Sequence, residues 1–419
     1  MRKVIAALLG AVLIGSSMPG LVACGGDEEG ANAKYKYSIK VWVGENTKEL
    51  TQKLITDFNK TNPYSIWFNA RVEEVTESKV TGDILKKPND APEIYCFGQD
   101  QLARLVSNKA IAEPYGTTVD ELKAVHTASS IDAASLNGKL YAYPLTEDNG
   151  YFLYYDKRVM DATQVETVED IMAACRAKNR YFSFNLKGGW YAASFFYAAG
   201  AKSEWDVDIN GHFQDYTDNF ETEYGMLGAK GLQKVIKDSS YLDLDTKETG
   251  KVTDFSEGTP AGAVVSGIWD YKAAKKILGD NLGIAPLPSF TVDGQTKKLA
   301  SFLGCKLLGV SQYSDVAKSS ALEFLAQYLT SEESQWKRFE EFGWRPSVET
   351  LQSEEDVKNH PALSALLETA TVAQGQYPTD WWTKVQTLAL GIKEAETGSE
   401  VGLQAALNQY KSELNGLKG

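Results

Sequence analysis

The sequence predicts an α/β fold whose sheets are covered by helices on both faces. Two observations carry this. Near the start, an apolar strand-like run is followed by a polar turn and an amphipathic helix, and the same order returns further on. The strands of both units are nearly continuous in apolar residues, as strands buried on two sides are. Size agrees: 419 residues suffice for two or three domain-sized units, each with a core.

Taken in order, Ile39-Lys40-Val41-Trp42-Val43 is the first strand and Gly44-Glu45-Asn46 its turn. Asn46 and Glu49 have the spacing of a capping box, and Leu50, Leu54, Ile55 and Phe58 form one helical stripe that Pro63 ends. The second unit runs through Glu93-Ile94-Tyr95-Cys96-Phe97 and Gly98-Gln99-Asp100 into a helix bearing Leu102, Leu105 and Val106. Ligands of such sheets bind beyond the carboxyl ends of strands, so Glu45, Asn46, Gln99 and Asp100 are candidate site residues. Further strands are expected at 141–145, 152–155, 181–184 and 262–265, with helices at 167–178, 225–236, 317–329, 382–396 and 399–414. Ser331 caps another helix, which carries Trp336 and Phe339. The proline-punctuated stretch 283–290 reads as an extended crossing between units. Asp206 to Gly211 matches the first half of a calcium loop, but Thr217 stands where a bidentate carboxylate is needed. Asn210-Gly211 is better explained as a type I′ hairpin turn.

The N-terminus carries an address. Arg2 and Lys3 precede an apolar run from Val4 to Ile14 that is too short to span a bilayer. Leu21-Val22-Ala23-Cys24 then resembles a bacterial lipobox, which implies that Cys24 is lipidated and residues 1–23 are removed. Residues 24–36 begin with small polar residues and read as a flexible tether, holding the body at the outer face of the cytoplasmic membrane. Cys96, Cys175 and Cys305 sit among apolar neighbours and are expected to be buried thiols, although one disulfide is possible.

Charge and motifs narrow the chemistry. A net charge of −13 opposes binding to nucleic acid or to an anionic lipid surface and favours an uncharged or cationic ligand. The three histidines, His126, His212 and His360, lie far apart in the sequence, and neither metalloprotease, phosphate-loop nor hydrolase-elbow motifs occur. No cofactor or metal is implied. Glu147-Asp148 could serve a glycoside hydrolase, but with 56 acidic residues an adjacent pair is expected by chance.

Aromatic residues say more. Trp190, Trp269 and Trp382 lie in the loop-like contexts Gly188-Gly189-Trp190-Tyr191, Ser266-Gly267-Ile268-Trp269-Asp270-Tyr271 and Pro378-Thr379-Asp380-Trp381-Trp382. Flat rings beside acids and amides suit a sugar, whose C–H faces stack while its hydroxyls hydrogen-bond. Trp42, Trp67, Trp205, Trp336 and Trp344 are assigned to the core.

A family resemblance follows from ordered local matches. These are Lys40 to Gly44, Ala91 to Phe97 with Asp100, Tyr143-Pro144-Leu145 before Tyr155-Asp156-Lys157, Phe184-Asn185-Leu186 before Trp190, Gly267-Ile268-Trp269, Pro286-Leu287-Pro288 and Trp381-Trp382. From about Tyr37 onward the chain resembles the extracellular solute-binding proteins of ABC sugar importers, most of all the maltose/maltodextrin-binding proteins. The resemblance implies a two-lobed periplasmic-binding-protein-like fold with a hinge and an interlobe ligand cleft. It implies an N-terminal lobe of residues 37–147 and 291–330 and a C-terminal lobe of 148–290 and 331–419. It further implies a monomeric, non-enzymatic receptor that binds an α-glucan oligosaccharide and hands it to an ABC permease. Trp190, Trp269 and Trp382 match stacking aromatics of that family, Phe97 falls where another usually stands, Asp100 matches an acidic acceptor, and Asp148 or Asn149 a second one. Gly188, Gln101 and Gln386 replace a glutamate and two arginines of the family pattern, so chain length or ring spacing is read differently. A different oligosaccharide, a secreted glycoside hydrolase and a polysaccharide-adhesion module remain alternatives.

Overall fold

The computed structural model describes residues 33–244, 248–256, 258, 260–378 and 380–417. The expected signal peptide and Cys24 lie outside them. Two sheets organise the chain. The first has the order Ala370–Ala373, Ser301–Val310, Ile94–Gly98, Tyr35–Val43, Ile66–Glu74, and Tyr143–Asn149 also pairs with Ser301–Val310. The second has the order Leu282–Ala285, Phe152–Asp156, Ala261–Ser266, Tyr181–Ser183.

Neither sheet is purely parallel. Tyr35–Val43 runs parallel to both its neighbours, whereas Ser301–Val310 is antiparallel to Ile94–Gly98 and to Tyr143–Asn149. That ten-residue strand, nearly all buried, is the main element missing from the sequence expectations. Its run Ser301-Phe302-Leu303-Gly304-Cys305-Lys306-Leu307-Leu308-Gly309-Val310 has no alternation to mark it, because both its faces are covered.

The helix Lys48–Thr61 buries the expected Leu50, Leu54, Ile55 and Phe58 against the first sheet. Full burial of each such side chain is worth about 2 kcal/mol. The capping box does not form. The N-cap is Thr47, whose hydroxyl donates to the Gly44 carbonyl at 2.6 Å, while Asn46 stands exposed at φ +65° in the turn. Ser331 caps Glu332–Phe342 as expected, accepting from Ser334 N.

The Asn210-Gly211 hairpin forms with a different turn. Only Gly211 takes a positive φ, and Asp208 N donates to the His212 carbonyl, leaving a three-residue loop. The Asp208 carboxylate accepts from the backbone of Asn210 and His212 and so holds a type I turn with a bulge. The tip touches the other lobe. Asn137 Nδ2 donates to the Asp208 carbonyl at 2.8 Å, and a Cβ on Gly211 would meet the Ala103 carbonyl at 2.3 Å.

Three segments connect the sheets: 149–152, 285–301 and 373–381. The stretch 283–290 is not one crossing strand. Leu282–Ala285 ends in the second sheet, and after the prolines Ser289–Val292 folds into a hairpin with Gln295–Lys298. Residues 331–373, expected in the second lobe, lie largely with the first. Ala370–Ala373 pairs with Ser301–Val310, Gln335 Nε2 donates to the Pro144 carbonyl, and Thr127 N and Glu147 N donate to the Ser347 and Arg345 carbonyls, while the helix Pro361–Thr369 packs between the two sheets. The second core gathers Phe182, Phe195, Val265, Trp381, Ile392 and Leu407. Cys96, Cys175 and Cys305 are buried free thiols, and burial pushes the Cys96 and Cys175 thiols up to about 12. No helix among the described residues is long and apolar enough to cross a membrane.

Candidate functional site

Three elements of the second lobe bring the expected tryptophans together. Trp190 opens the helix Gly189–Ala199, Trp269 follows the strand Ala261–Ser266, and Trp382 lies in the first turn of Trp381–Glu394. Glycines allow the approach. A Cβ on Gly189 would stand 2.0 Å from the Trp382 carbonyl, so those two helix starts touch backbone to backbone. A Cβ on Gly267 would meet the Trp269 ring at 2.1 Å, so the indole folds back over its own loop.

The rings form a continuous wall. Trp190 and Trp269 have centroids 6.0 Å apart, and Phe302 stacks on Trp190 at 6.0 Å with planes 10° apart. Phe302 then meets Trp382 edge-on at 5.8 Å. Phe302 sits near the start of the unanticipated Ser301–Val310 strand, so sequence reading missed the residue that joins the three tryptophans. All three tryptophans remain partly accessible, whereas Phe302 is buried behind them.

Asp100 meets this wall from the other lobe. Its Oδ2 accepts from Trp382 Nε1 at 3.1 Å. Burial raises its carboxyl above the ordinary range, opposed by the Trp382 N–H and the Arg104 charge. Asn149 is partly buried beside it: a Cβ on Gly98 would lie 2.7 Å from Asp100 Oδ1 and 3.6 Å from Asn149 Nδ2. Glu45 is exposed at the rim, accepting from Thr76 Oγ1 at 2.9 Å, and its charge helps raise Asp270, whose main cause is burial. Asn46 is beside it in the same exposed turn.

Three candidates have other duties. Phe97 is wholly buried in the first core, 5.7 Å from Tyr95, and offers no stacking face. Gln99 is spent on the backbone: its Nε2 donates to the Gln374 carbonyl and its Oε1 accepts from Cys305 N. It ties the first sheet to a connecting segment. Asp148 is wholly buried, and its oxygens accept from Thr146 Oγ1 at 2.6 Å and Arg345 N at 2.8 Å. Its neighbour Glu147 pairs with Arg345 at 2.8 Å and accepts from Ser129 and Gln352. Two carboxylates so engaged do not flank a common bond, which a glycoside hydrolase requires.

The site also contains a buried charge that the sequence did not announce. Lys306, four residues after Phe302, is 4% exposed and pairs with Glu77 at 2.8 Å. Its ammonium lies over Trp344 at 4.5 Å and Trp269 at 5.3 Å from the ring centroids. Burial works against that charge, but Glu77 and Asp148 outweigh it and hold Lys306 above its ordinary value. Among the described residues no group of three or more His, Cys, Asp or Glu side chains is placed to hold a metal.

Known proteins share this architecture. The sequence profile of the family described as bacterial extracellular solute-binding protein matches residues 31–365. The maltodextrin-binding protein MdxE of Bacillus subtilis (strain 168) is 22% identical over 435 residues, covering 94% of each chain. Among solved structures, the maltodextrin-binding protein MalE1 of L. casei BL23 superposes with a TM-score of 0.74 at 20% identity, over 90% of this chain and 99% of that one. The GacH receptor of Streptomyces glaucescens GLA.O, solved unliganded and with acarbose, gives 0.74 at 16% identity, over 91% and 98%. The fold is that of two-lobed binding proteins.

Proposed function

The chain belongs to the bacterial extracellular solute-binding proteins, and we propose that it captures neutral α-glucan oligosaccharides of the maltose series and delivers them to an ABC permease. The observation that carries this reading is the wall Trp269–Trp190–Phe302–Trp382 with Asp100 hydrogen-bonded to Trp382 from the opposite lobe. The partly accessible Trp190, Trp269 and Trp382, backed by Phe302, present apolar faces to the C–H faces of glucose units, while carboxylate and amide groups accept and donate to the hydroxyl rim. The maltodextrin-binding relatives support the same ligand class.

The mechanism is differential binding by two states. One lobe offers the stacking surface, and closure adds the polar contacts of the other lobe, so ligand shifts the open–closed equilibrium by that difference. No covalent step is involved. Lipidation of Cys24 would keep the receptor near its permease at high effective concentration.

Isothermal calorimetry on the soluble body from residue 33 onward, which keeps the whole Tyr35–Val43 strand, with a panel of mono- and oligosaccharides, tests the reading. Maltooligosaccharides are expected to bind in the micromolar range, about −8 kcal/mol. Trp382→Ala is expected to lower affinity at least about tenfold, roughly 1.4 kcal/mol, with the protein still folded. Binding of other sugars alone would replace the α-glucan assignment, and unchanged affinity in the variant would remove Trp382 from the site.

A further inference from the structure

Gln374 follows the edge strand Ala370–Ala373 on the segment leading to the Trp381–Glu394 helix. Its carbonyl accepts from Gln99 Nε2 at 2.8 Å, which pins its backbone. Its side chain is a different matter. The residue is only 8% exposed, and among the described residues neither Oε1 nor Nε2 of the amide has a hydrogen-bond partner. A buried polar group left in that state costs about 1–3 kcal/mol, so native proteins keep few, and each asks for a reason.

The surroundings supply one. The side chain lies on Gly304: a Cβ there would be 3.3 Å from Gln374 Cγ and 3.3 Å from Asn149 Cβ. Gly98, on the adjacent strand, is bordered by Asp100 Oδ1 and Asn149 Nδ2. Over two buried glycines on paired strands, Gln374, Asn149 and Asp100 therefore gather into one polar patch. The patch lies between the 149–152 and 373–381 connections and adjoins Trp382 through Asp100.

We infer that Gln374 is a ligand-reading residue whose amide pairs with hydroxyls of a bound sugar. This rests on the oligosaccharide reading above. The amide donates from Nε2 and accepts at Oε1, which matches two neighbouring hydroxyls of one ring. A site polar group that only the right hydroxyl satisfies also rejects an analogue lacking it, so Gln374 contributes specificity as well as affinity.

The test is Gln374→Met in the soluble body, with maltotriose as the probe. Methionine keeps the approximate volume and removes the unpaired amide. Affinity by calorimetry is expected to fall about tenfold or more. The melting temperature without sugar is expected to stay level or rise, the opposite of what loss of a structural hydrogen bond would do. Unchanged maltotriose affinity would overturn the inference. So would a variant that melts well below the parent or does not fold, since the amide would then be supporting the fold. If the unsubstituted protein fails to bind maltotriose, the α-glucan reading falls and this inference with it. That outcome differs from one in which both proteins bind alike.

Discussion

Lys306 shows how much one side chain can rest on its neighbours. Its ammonium is buried among Glu77, Trp344 and Trp269, and each of Lys306 and Glu77 is charged because the other is. Removing one member of such a pair strands the other and typically costs about 3–5 kcal/mol, whereas replacing both is often nearly neutral. Lys306→Met alone should therefore lower stability by about 3 kcal/mol in urea titration, and adding Glu77→Gln should restore most of it. Additive losses in the double variant would mean that the pair is not coupled. The three tryptophans of the wall could be found in the sequence because each stands in a loop-like stretch of glycine, proline or polar residues, an unusual place for a large apolar ring. Lys306, Phe302 and Gln374 could not. Phe302 and Lys306 lie in a run that reads as plain core, and the orphan state of Gln374 exists only once the chain has folded around it. Phe97 errs the other way: local alignment marks it for stacking, but its side of the strand turns into the core.

Among the elements, those with a strong local pattern were legible, including the first strand, its helix with the Leu50–Phe58 stripe, and the long C-terminal helices. The Ser301–Val310 strand and the placement of residues 331–373 were not, because both depend on pairing between distant segments. The site depends on one such pairing of elements, the contact between the starts of Gly189–Ala199 and Trp381–Glu394. Gly189→Ala would drive a Cβ to 2.0 Å from the Trp382 carbonyl, and backbone atoms cannot step aside as a flexible side chain can. Overpacking of this kind costs about 1–3 kcal/mol. The substitution should lower the melting temperature and also weaken sugar binding, because it displaces Trp190 from Trp382. Gly82→Ala is the control of opposite sign. Gly82 lies within the helix Glu77–Lys86, with nothing within 4 Å of its would-be Cβ, so alanine should stabilise by about 0.5–1 kcal/mol. If Gly189→Ala and Gly82→Ala shift stability alike, the close approach is not what the glycine provides.

For the whole molecule, acid brings opposing contributions, and their signs can be separated. Burial raises the carboxyls of Asp100, Asp148, Asp218 and Asp270, so the folded state holds their protons more tightly than the unfolded state does. Those groups favour folding as pH falls toward the ordinary aspartate value, and their contribution is lost as pH rises. His126 acts the other way. It is 4% exposed, its Nδ1 lies 3.0 Å from Ser347 Oγ, and burial lowers its pKa from 6.5 to about 4. Between those values the unfolded chain binds a proton that the folded chain refuses, so the stability His126 contributes is complete above pH 6.5 and drains away toward pH 4. His360 is lowered to about 4 as well, by burial and by the charge of Lys275. A melting curve of the parent protein alone would mix all of these. The difference between the parent and His126→Asn isolates one, because asparagine can keep the bond to Ser347 without titrating. That difference should change by on the order of 2 kcal/mol between pH 7 and pH 4, with the parent losing ground as acid is added. A difference that stays level with pH would mean that His126 titrates alike folded and unfolded, and that its burial between the Thr118–Val125 helix and Ser347 does not hold it neutral.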